Sequence, residues 1–179
     1  MENNSFGSCF LAKIVDMANV YLSLGSNKGD RAANLRAALQ ALPPLVQIKK
    51  VSSLYESAPM YVEQQDPFYN IAVHAQTQLT PFDLFQLAKE IEWQVGRTEG
   101  ERNGPRELDI DILLFDDLIL NTPELQIPHP RMHERAFVLV PLEEIARMAV
   151  HPVLDRQIID LWDEQEGGRD IVWEAGEIL

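Results

Sequence analysis

The spacing of apolar and polar residues divides most of the chain into strands and helices. A β-prone run over residues 20–24 ends at a polar, glycine-containing turn, after which Asp30 can cap a helix that Pro43-Pro44 terminates. Residues 46–54 alternate in polarity, and residues 69–77 are rich in Ile, Val and Ala, so both segments predict strands.

A second helix and a last strand complete the pattern. Thr80 is a candidate N-cap, Pro81 suits the first helical position, and an apolar face continues to Val95 before Gly96 ends the helix. Residues 108–115 predict the next strand. The order βαββαβ predicts an α+β fold, a ferredoxin-like sandwich with an antiparallel sheet and C-terminal additions. Two helices would cover one face of the sheet and leave the other face free for a ligand.

Length, composition and charge narrow the class of protein. The 179 residues, 46% hydrophobic and 24% charged, predict one globular domain over 17–165, with an extension at 1–16 and a tail at 166–179. A net charge of −13 argues against nucleic acid or an anionic membrane as a partner. A single cysteine, Cys9, and no long apolar run favour a cytoplasmic protein without a disulfide framework.

The segment around Asp109 and Asp111 carries the strongest chemical signal. Residues two apart in a strand point the same way, so these carboxylates should project together from one face, with Cα atoms about 6.5 to 7 Å apart. The opposite, core-facing side is predicted to hold Leu108, Ile110, Ile112 and Leu114. An acidic pair with only oxygen ligands favours magnesium, and the nearby Arg106 favours a polyphosphate. The simpler interpretation is a solvated acidic pair on an edge strand.

Several motifs in the same order resemble one enzyme family. They are Leu24-Gly25-Ser26-Asn27, Val51-Ser52-Ser53-Leu54-Tyr55, Pro67-Phe68-Tyr69-Asn70, Ile91-Glu92 with Gly96-Arg97, Gly104-Pro105-Arg106 with Asp109-Ile110-Asp111, and Ile127-Pro128-His129 with Arg135 and Phe137. Together they span roughly residues 18 to 145 and resemble the 6-hydroxymethyl-7,8-dihydropterin pyrophosphokinases of folate biosynthesis. The resemblance implies transfer of pyrophosphate from ATP to a pterin alcohol, giving AMP and the pterin diphosphate.

The resemblance also implies a role for individual residues. Asp109 and Asp111 would hold two magnesium ions, and with Arg97 and Arg106 they would form the catalytic set. The pterin would lie between Phe68 and Phe137, with Asn70 hydrogen-bonding its edge and Ser57 and Met60 lining the same slot. ATP would be bound by Glu92, Arg97, Arg102, Arg106, Ile112, His129 and Arg135. The loop over 98–103 is short for the family. The substrates would be small molecules, and the protein is expected to be a monomer.

Two other classes of function stay open at this stage. A different magnesium-dependent transferase could use a nucleotide with a coincidental Asp-x-Asp pair, and it would take a nucleotide sugar or other substrate in place of a pterin. A non-catalytic ferredoxin-like binding domain would bind ligand without metal-dependent turnover.

Overall fold

The fold is built around an antiparallel sheet. The computed structural model describes residues 16–60, 64–97, 104–165 and 172–179. Its strands are β1 (Ala18–Ser26), β2 (Val46–Val51), β3 (Leu54–Ser57), β4 (Phe68–Thr77), β5 (Asp109–Phe115), β6 (Leu120–Asn121), β7 (Gln126–Ile127), β8 (Val150–His151), β9 (Arg156–Gln157) and β10 (Val172–Gly176). Its helices are α1 (Arg31–Ala41), α2 (Pro81–Val95), α3 (Ala136–Ala146) and α4 (Ile158–Asp163), with a 3-10 turn at Met132–Glu134.

The strand order confirms the predicted architecture. The central sheet runs β10-β3-β4-β1-β5, and β2 pairs with the opposite end of β4 from β3. Strand β4 therefore lies antiparallel between β1 and the β2–β3 segment, as in a ferredoxin-like sandwich. Strands β6 and β7, and β8 and β9, form two small separate hairpins. Among the described helices, none combines the length and apolar character needed to cross a bilayer.

Local capping chemistry explains where the two sandwich helices begin and end. The Asp30 side chain accepts a hydrogen bond from the amide of Ala33 at 3.0 Å, and Thr80 does the same for Asp83 at 3.2 Å. Gly96 ends α2 with a φ of 114°, a left-handed conformation that favours glycine. These predicted boundaries are confirmed.

The predicted strand over 46–54 is instead two strands. Ser52 leaves the ladder, and its hydroxyl accepts a hydrogen bond from the amide of Ala72 at 2.9 Å. The amide of Ser53 donates to the Glu144 carboxylate of α3, so this backbone group is satisfied outside the sheet. In the sequence the break falls at the consecutive polar residues Ser52 and Ser53, which interrupt the alternation between the two strands.

Apolar residues pack against both faces of the sheet. Helices α1 and α2 pack on the first face against residues such as Leu22, Ile71 and Ile110. Helices α3 and α4 pack on the second face against Ala72 and Leu113. The expectation that the second face is wholly free is therefore wrong, because the chain after β5 returns to bury part of it.

A bulge in β5 changes one predicted inward position. The register with β1 shifts so that Leu22 lies opposite Ile112 and Tyr21 opposite Leu114, leaving Leu113 as the extra residue. Leu114 consequently packs on the second face, and its prediction as a first-face residue beside Ile110 is wrong. The bulge lies after the acidic pair, so it does not disturb the alternation there.

The C-terminal residues add to the fold. Strand β10 pairs with β3 along the sheet edge, from Val172 opposite Ser57 to Gly176 opposite Leu54. Beyond it, Ile178 is buried in the first-face core, and its carbonyl accepts a hydrogen bond from Arg36 at 3.2 Å. The segment predicted as a tail thus contributes a strand over its described part, while the domain boundaries themselves stay predictions.

Candidate active site

The uncovered part of the second face carries a cavity of about 350 Å³. It lies where β1, β4 and β5 meet, because Gly25 is paired with both Asn70 and Asp109. The predicted residues that line it are Ser57, Met60, Phe68, Asn70, Arg97, Arg106, Asp109, Asp111, His129, Arg135 and Phe137. Glu92 and Ile112 lie outside its lining, and Arg102, with the loop 98–103, lies outside the described residues.

The two aspartates project from β5 into this cavity, as the strand alternation predicts. Both oxygens of Asp109 accept hydrogen bonds from arginines: Arg97 donates to Oδ1 at 2.8 Å and Arg106 to Oδ2 at 2.9 Å. Within the described residues, the shortest contact of Asp111 with a side chain that could carry positive charge is longer, 3.9 Å from its Oδ2 to Nε2 of His129. One carboxylate is thus neutralised by arginines, and the other faces the cavity without such a partner.

The pKa values of the two carboxyls therefore diverge. Burial opposes ionisation at Asp109, but the neighbouring Arg106 and Arg97 outweigh it and lower the pKa of that carboxyl below its usual value. Burial, and then the negative charge of Asp109, raise the pKa of Asp111 to about 6. Because the surroundings disfavour the ionised form of Asp111, a cation bound beside that carboxylate would be stabilising.

The oxygens at the site suit magnesium. The described residues contain no group of three or more His, Cys, Asp or Glu side chains placed to hold a metal ion. Two adjacent carboxylates without further protein ligands match the way magnesium binds, because that ion usually keeps waters and takes its remaining ligands from phosphates. Asp109 and Asp111 are the residues that would hold it.

Glu92 is buried, contacts Arg97 and does not line the cavity. Its side chain is 2% exposed, and its carboxylate accepts hydrogen bonds from Lys89 at 2.7 Å and from the amide of Ile110 at 2.8 Å. The other oxygen is hydrogen-bonded to Arg97. Glu92 therefore ties α2 to β5 and fixes the guanidinium that reaches Asp109.

His129 is neutral and presents an N–H group to the acidic pair. Burial, and then the positive charge of Arg135, lower the pKa of His129 to about 4. Its Nδ1 accepts a hydrogen bond from the amide of Arg131 at 3.2 Å, so the ring proton belongs on Nε2, the atom that faces Asp111. His129 can therefore donate a hydrogen bond to a phosphate oxygen without carrying a positive charge.

A second cavity of about 300 Å³ continues from the first. The two share Asp111 and His129, and the second is also lined by Phe85, Ile112 and Leu125. Ile112 is thus placed beside the site, although on a different wall from the phosphate-facing arginines. Asp111 and His129 therefore border both cavities.

Arg135 is held close to the ring of Phe137 at the edge of the main cavity. The guanidinium carbon lies 5.7 Å from the centroid of that ring. Its Nε is buried and has no hydrogen-bond partner within the described residues. The neighbouring Glu134 forms its ion pair with Arg131, at 2.8 Å.

The wall of the cavity away from the acidic pair contains the aromatic ring of Phe68 and the side-chain amide of Asn70. Asn70 is 2% exposed and donates from Nδ2 to the hydroxyl of Ser57 at 2.9 Å. Phe68 lies two residues before it on the same side of β4, and Gly25 of β1 leaves room between them. This arrangement suits a flat heterocycle with a mixed donor and acceptor edge.

Some cavity residues were not anticipated from the sequence. They are Ser23, Gly25, Ala58, Gln65 and Lys89. Gly25 and Ser23 could have been found, because strand alternation puts both on one face of β1. Lys89 precedes Glu92 by one helical turn, a spacing that indicates an ion pair. Gln65 lies in a connecting segment without periodicity, so no sequence signal marks it.

Asn27 organises the segments around the cavity. Its Oδ1 accepts a hydrogen bond from the amide of Arg106 at 2.8 Å, and its Nδ2 donates to Gln65 at 3.0 Å and to the carbonyl of Asp66 at 3.2 Å. With 1% exposure it is fully enclosed. The turn after β1 is therefore a structural junction.

Comparisons with known proteins show which family this chain resembles. Residues 21–147 match the family model for 7,8-dihydro-6-hydroxymethylpterin-pyrophosphokinase (HPPK). The chain is 43% identical over 158 residues to a 2-amino-4-hydroxy-6-hydroxymethyldihydropteridine pyrophosphokinase of Bacillus subtilis, covering 85% of this chain and 95% of that protein. It is 47% identical over 135 residues to the folic acid synthesis protein FOL1 of Dictyostelium discoideum, covering 75% of this chain.

A solved structure supports the fold. The crystal structure of Plasmodium falciparum HPPK-DHPS superposes with a TM-score of 0.70 and 18% identity, covering 86% of this chain and 46% of that one. The chain spans a fifth of the Dictyostelium protein and nearly all of the Bacillus enzyme. The family model matches well over half of the chain, the Bacillus enzyme is related over nearly its whole length, and the chain therefore belongs to the 7,8-dihydro-6-hydroxymethylpterin-pyrophosphokinase family.

Proposed function

We propose that this protein transfers the pyrophosphoryl group of ATP to 6-hydroxymethyl-7,8-dihydropterin, giving AMP and the pterin diphosphate in folate biosynthesis. The observation that carries the proposal is that one cavity joins a ring-and-amide wall to an acidic pair flanked by arginines. Neither of the other two classes, an unrelated nucleotide-using transferase or a non-catalytic binding domain, accounts for both halves together with the family match.

The pterin half consists of Phe68, Asn70 and Phe137. Aromatic faces stabilise a flat heterocycle by stacking, and the Asn70 amide can both donate to and accept from its edge. The Ser57 hydroxyl holds the amide by accepting from Nδ2. Met60 contributes apolar wall beside it. An orientation set by these contacts would point the hydroxymethyl group toward the acidic pair.

The phosphate half consists of arginines that are already oriented by carboxylates. Arg97 and Arg106 both contact Asp109, and phosphate oxygens are strong competing acceptors for the same guanidinium groups. Binding of ATP would transfer these hydrogen bonds to phosphate and leave Asp109 available for magnesium. His129 and Arg135 would contact the outer phosphates, and the second cavity beside Ile112 would accept the adenine end.

The reaction needs no protein nucleophile. The pterin hydroxyl oxygen forms a bond to the β-phosphorus, the bond from that phosphorus to the α–β bridging oxygen breaks, and AMP leaves with the electron pair. The hydroxyl proton passes to solvent. Arg97 and Arg106 stabilise the charge that moves onto AMP. Two magnesium ions, held by Asp109 and Asp111, would supply further neutralisation of phosphate charge.

The products distinguish this reaction from an ordinary kinase. The protein is incubated with ATP, magnesium and the pterin alcohol, and the products are identified by mass. One AMP is expected for each pterin diphosphate, without accumulation of ADP. Predominant ADP would indicate transfer of the γ-phosphoryl group and would contradict the proposal, as would ligand binding without any turnover.

The substrates in this proposal are small molecules. A monomeric state and a cytoplasmic location are predictions of the same kind, and the composition, with its single cysteine, suggests only the location. Relatives in plants are named as mitochondrial bifunctional proteins, so location varies among the proteins this chain resembles. Fractionation of cells that express the full chain tests the location, and sedimentation tests the monomer.

A further inference from the structure

Glu56 connects three elements behind the pterin wall without lining the cavity. It lies on β3, directly before Ser57. One carboxylate oxygen accepts a hydrogen bond from Arg31 of α1 at 2.7 Å, and the other accepts from the indole nitrogen of Trp173 on β10 at 3.2 Å. The Glu56 and Arg31 side chains are only 20% and 23% exposed, so water screens their interaction weakly.

Arg31 in turn contacts both residues that flank Phe68. Its Nη1 donates to the carbonyl oxygen of Pro67 at 2.7 Å. Its guanidinium carbon lies 3.7 Å from the centroid of the Tyr69 ring, a cation–π contact. One planar group thus contacts the residues before and after Phe68, in addition to the strand pairing of Phe68 with Ser57.

These contacts connect β10, at the sheet edge, to the start of β4 beside the cavity. Trp173 and Arg31 fix Glu56, and Arg31 fixes the start of β4, where Phe68 leaves the strand edge toward the cavity. None of these three side chains is among the cavity-lining residues. Trp173 also lies beyond residues 21–147, the part of the chain that the family model matches.

We propose that Arg31 and Glu56, supported by Trp173, form a positioning unit that fixes Phe68 for pterin stacking. The inference rests on the proposed function, because it presumes that Phe68 stacks on the pterin. Stacking is sensitive to ring position, and small displacements of a contact group weaken binding disproportionately. The arginines of the phosphate half are held separately, Arg97 by Glu92 and Arg106 by Asn27. Disturbing the positioning unit should therefore weaken the binding of the pterin and not that of ATP.

The test compares two arginines of the same helix. Arg31→Met removes the guanidinium and keeps the aliphatic stem. Arg36→Met is the matched control, because Arg36 also lies on α1 and also donates to a backbone carbonyl, that of Ile178, but does not contact residues 67–69. Binding is measured by titration calorimetry with 6-hydroxymethylpterin, and separately with α,β-methylene-ATP, whose α–β bridge cannot be cleaved.

Arg31→Met is expected to weaken pterin binding about tenfold while the nucleotide affinity changes less than about twofold. Arg36→Met should leave both affinities within about twofold. Glu56→Gln should follow Arg31→Met in direction, and Trp173→Phe, which keeps a ring but removes the indole donor, should have a smaller effect. Arg31→Lys keeps the charge and part of the contact, so its pterin affinity is expected to lie between those of the unmodified protein and Arg31→Met. This variant keeps the test informative even if Arg31→Met folds poorly.

Two results would overturn the inference. One is a pterin affinity unchanged in Arg31→Lys, Glu56→Gln and Trp173→Phe while the unmodified protein binds the pterin. The other is an equal loss of pterin and nucleotide affinity, which indicates a general role in stability. An unmodified protein that binds no pterin would overturn the proposed function itself, and that result is distinguishable from both.

Discussion

Asp109 and Asp111 share one face of β5 but have opposite electrostatic surroundings. Two guanidinium groups contact Asp109 within 2.9 Å, whereas Asp111 faces the negative charge of Asp109 and a neutral imidazole 3.9 Å away. The pKa of Asp109 is consequently lowered, and that of Asp111 is raised to about 6. The same substitution at the two positions should therefore have opposite effects on stability.

Asp111→Asn should stabilise the metal-free protein at neutral pH. The amide removes a carboxylate that is repelled by Asp109 and partly desolvated. We expect a gain of about 1 kcal/mol in the free energy of unfolding, less than the pKa shift alone implies, because the side chain is 36% exposed and still hydrated. Chemical denaturation with a chelator present measures it.

The stability gained by Asp111→Asn should increase as pH rises. Because the folded pKa of Asp111 lies above its ordinary value of 3.8, the folded protein binds more protons between about pH 4 and 6, and its stability falls as pH rises through that window. The advantage of Asp111→Asn is therefore absent below pH 4 and complete above pH 6. A gain that is constant across this range would contradict the assignment.

Asp109→Asn should destabilise the protein. It leaves Arg97 and Arg106 without the carboxylate that both contact, and we expect a loss of about 1 to 2 kcal/mol in the free energy of unfolding. Turnover should fall by orders of magnitude in both aspartate variants because each would lose a metal ligand. Full activity in both would show that the pair is only a solvated strand face.

Glu92→Gln should act through stability and not through direct loss of an ATP contact. The amide can still accept from the amide of Ile110, but Arg97 and Lys89 lose a buried counter-charge. We expect about 2 kcal/mol less stability in urea denaturation. Glu134→Gln, in an exposed pair with Arg131, is the control and should not move the midpoint. Unchanged stability with lost nucleotide binding would restore Glu92 as an ATP contact.

Asn70→Leu and Phe137→Leu should weaken pterin binding selectively. Leucine removes the polar partner of the heterocycle in one case and the aromatic face in the other, each worth about 1 to 3 kcal/mol of pterin affinity. Binding of α,β-methylene-ATP should stay nearly unchanged. Phe82→Leu, at an exposed position of α2, is the control. If both variants only lower the melting temperature and weaken both ligands in parallel, these residues are core packing.

Gly25→Ala should keep the fold and obstruct the pterin. A Cβ atom there would lie 3.5 Å from Oδ1 of Asn70 and 3.8 Å from Cδ1 of Phe68, which are ordinary contacts, but the methyl group would enter the slot between them. We expect unchanged melting and several-fold weaker pterin binding, and a larger loss for Gly25→Val.

Gly29→Ala provides the contrasting control. Its φ of +70° makes the substitution strained, while nothing lies within 4 Å of the added atom. It should lower the free energy of unfolding by about 1 kcal/mol without altering pterin affinity. Lower stability in Gly25→Ala with no change in pterin affinity would contradict a cavity position for Gly25.

The sequence alone determined the features that depend on short-range spacing. The caps at Asp30 and Thr80 and the end of α2 at Gly96 follow from neighbours within one helical turn. The shared face of Asp109 and Asp111 follows from the period of two in a strand. Motif order, read as a resemblance, indicated the family, because several matches in register are far more specific than one Asp-x-Asp.

Only the tertiary structure decided which partners each side chain meets. Glu92 and Asp109 are 17 positions apart yet hold the same arginine, and α3 covers a face that the βαββαβ pattern leaves open. The bulge at Leu113 and the break at Ser52 depend on pairing with distant strands. Charge distribution, burial and therefore the pKa of Asp111 arise from contacts between elements, which local periodicity does not encode.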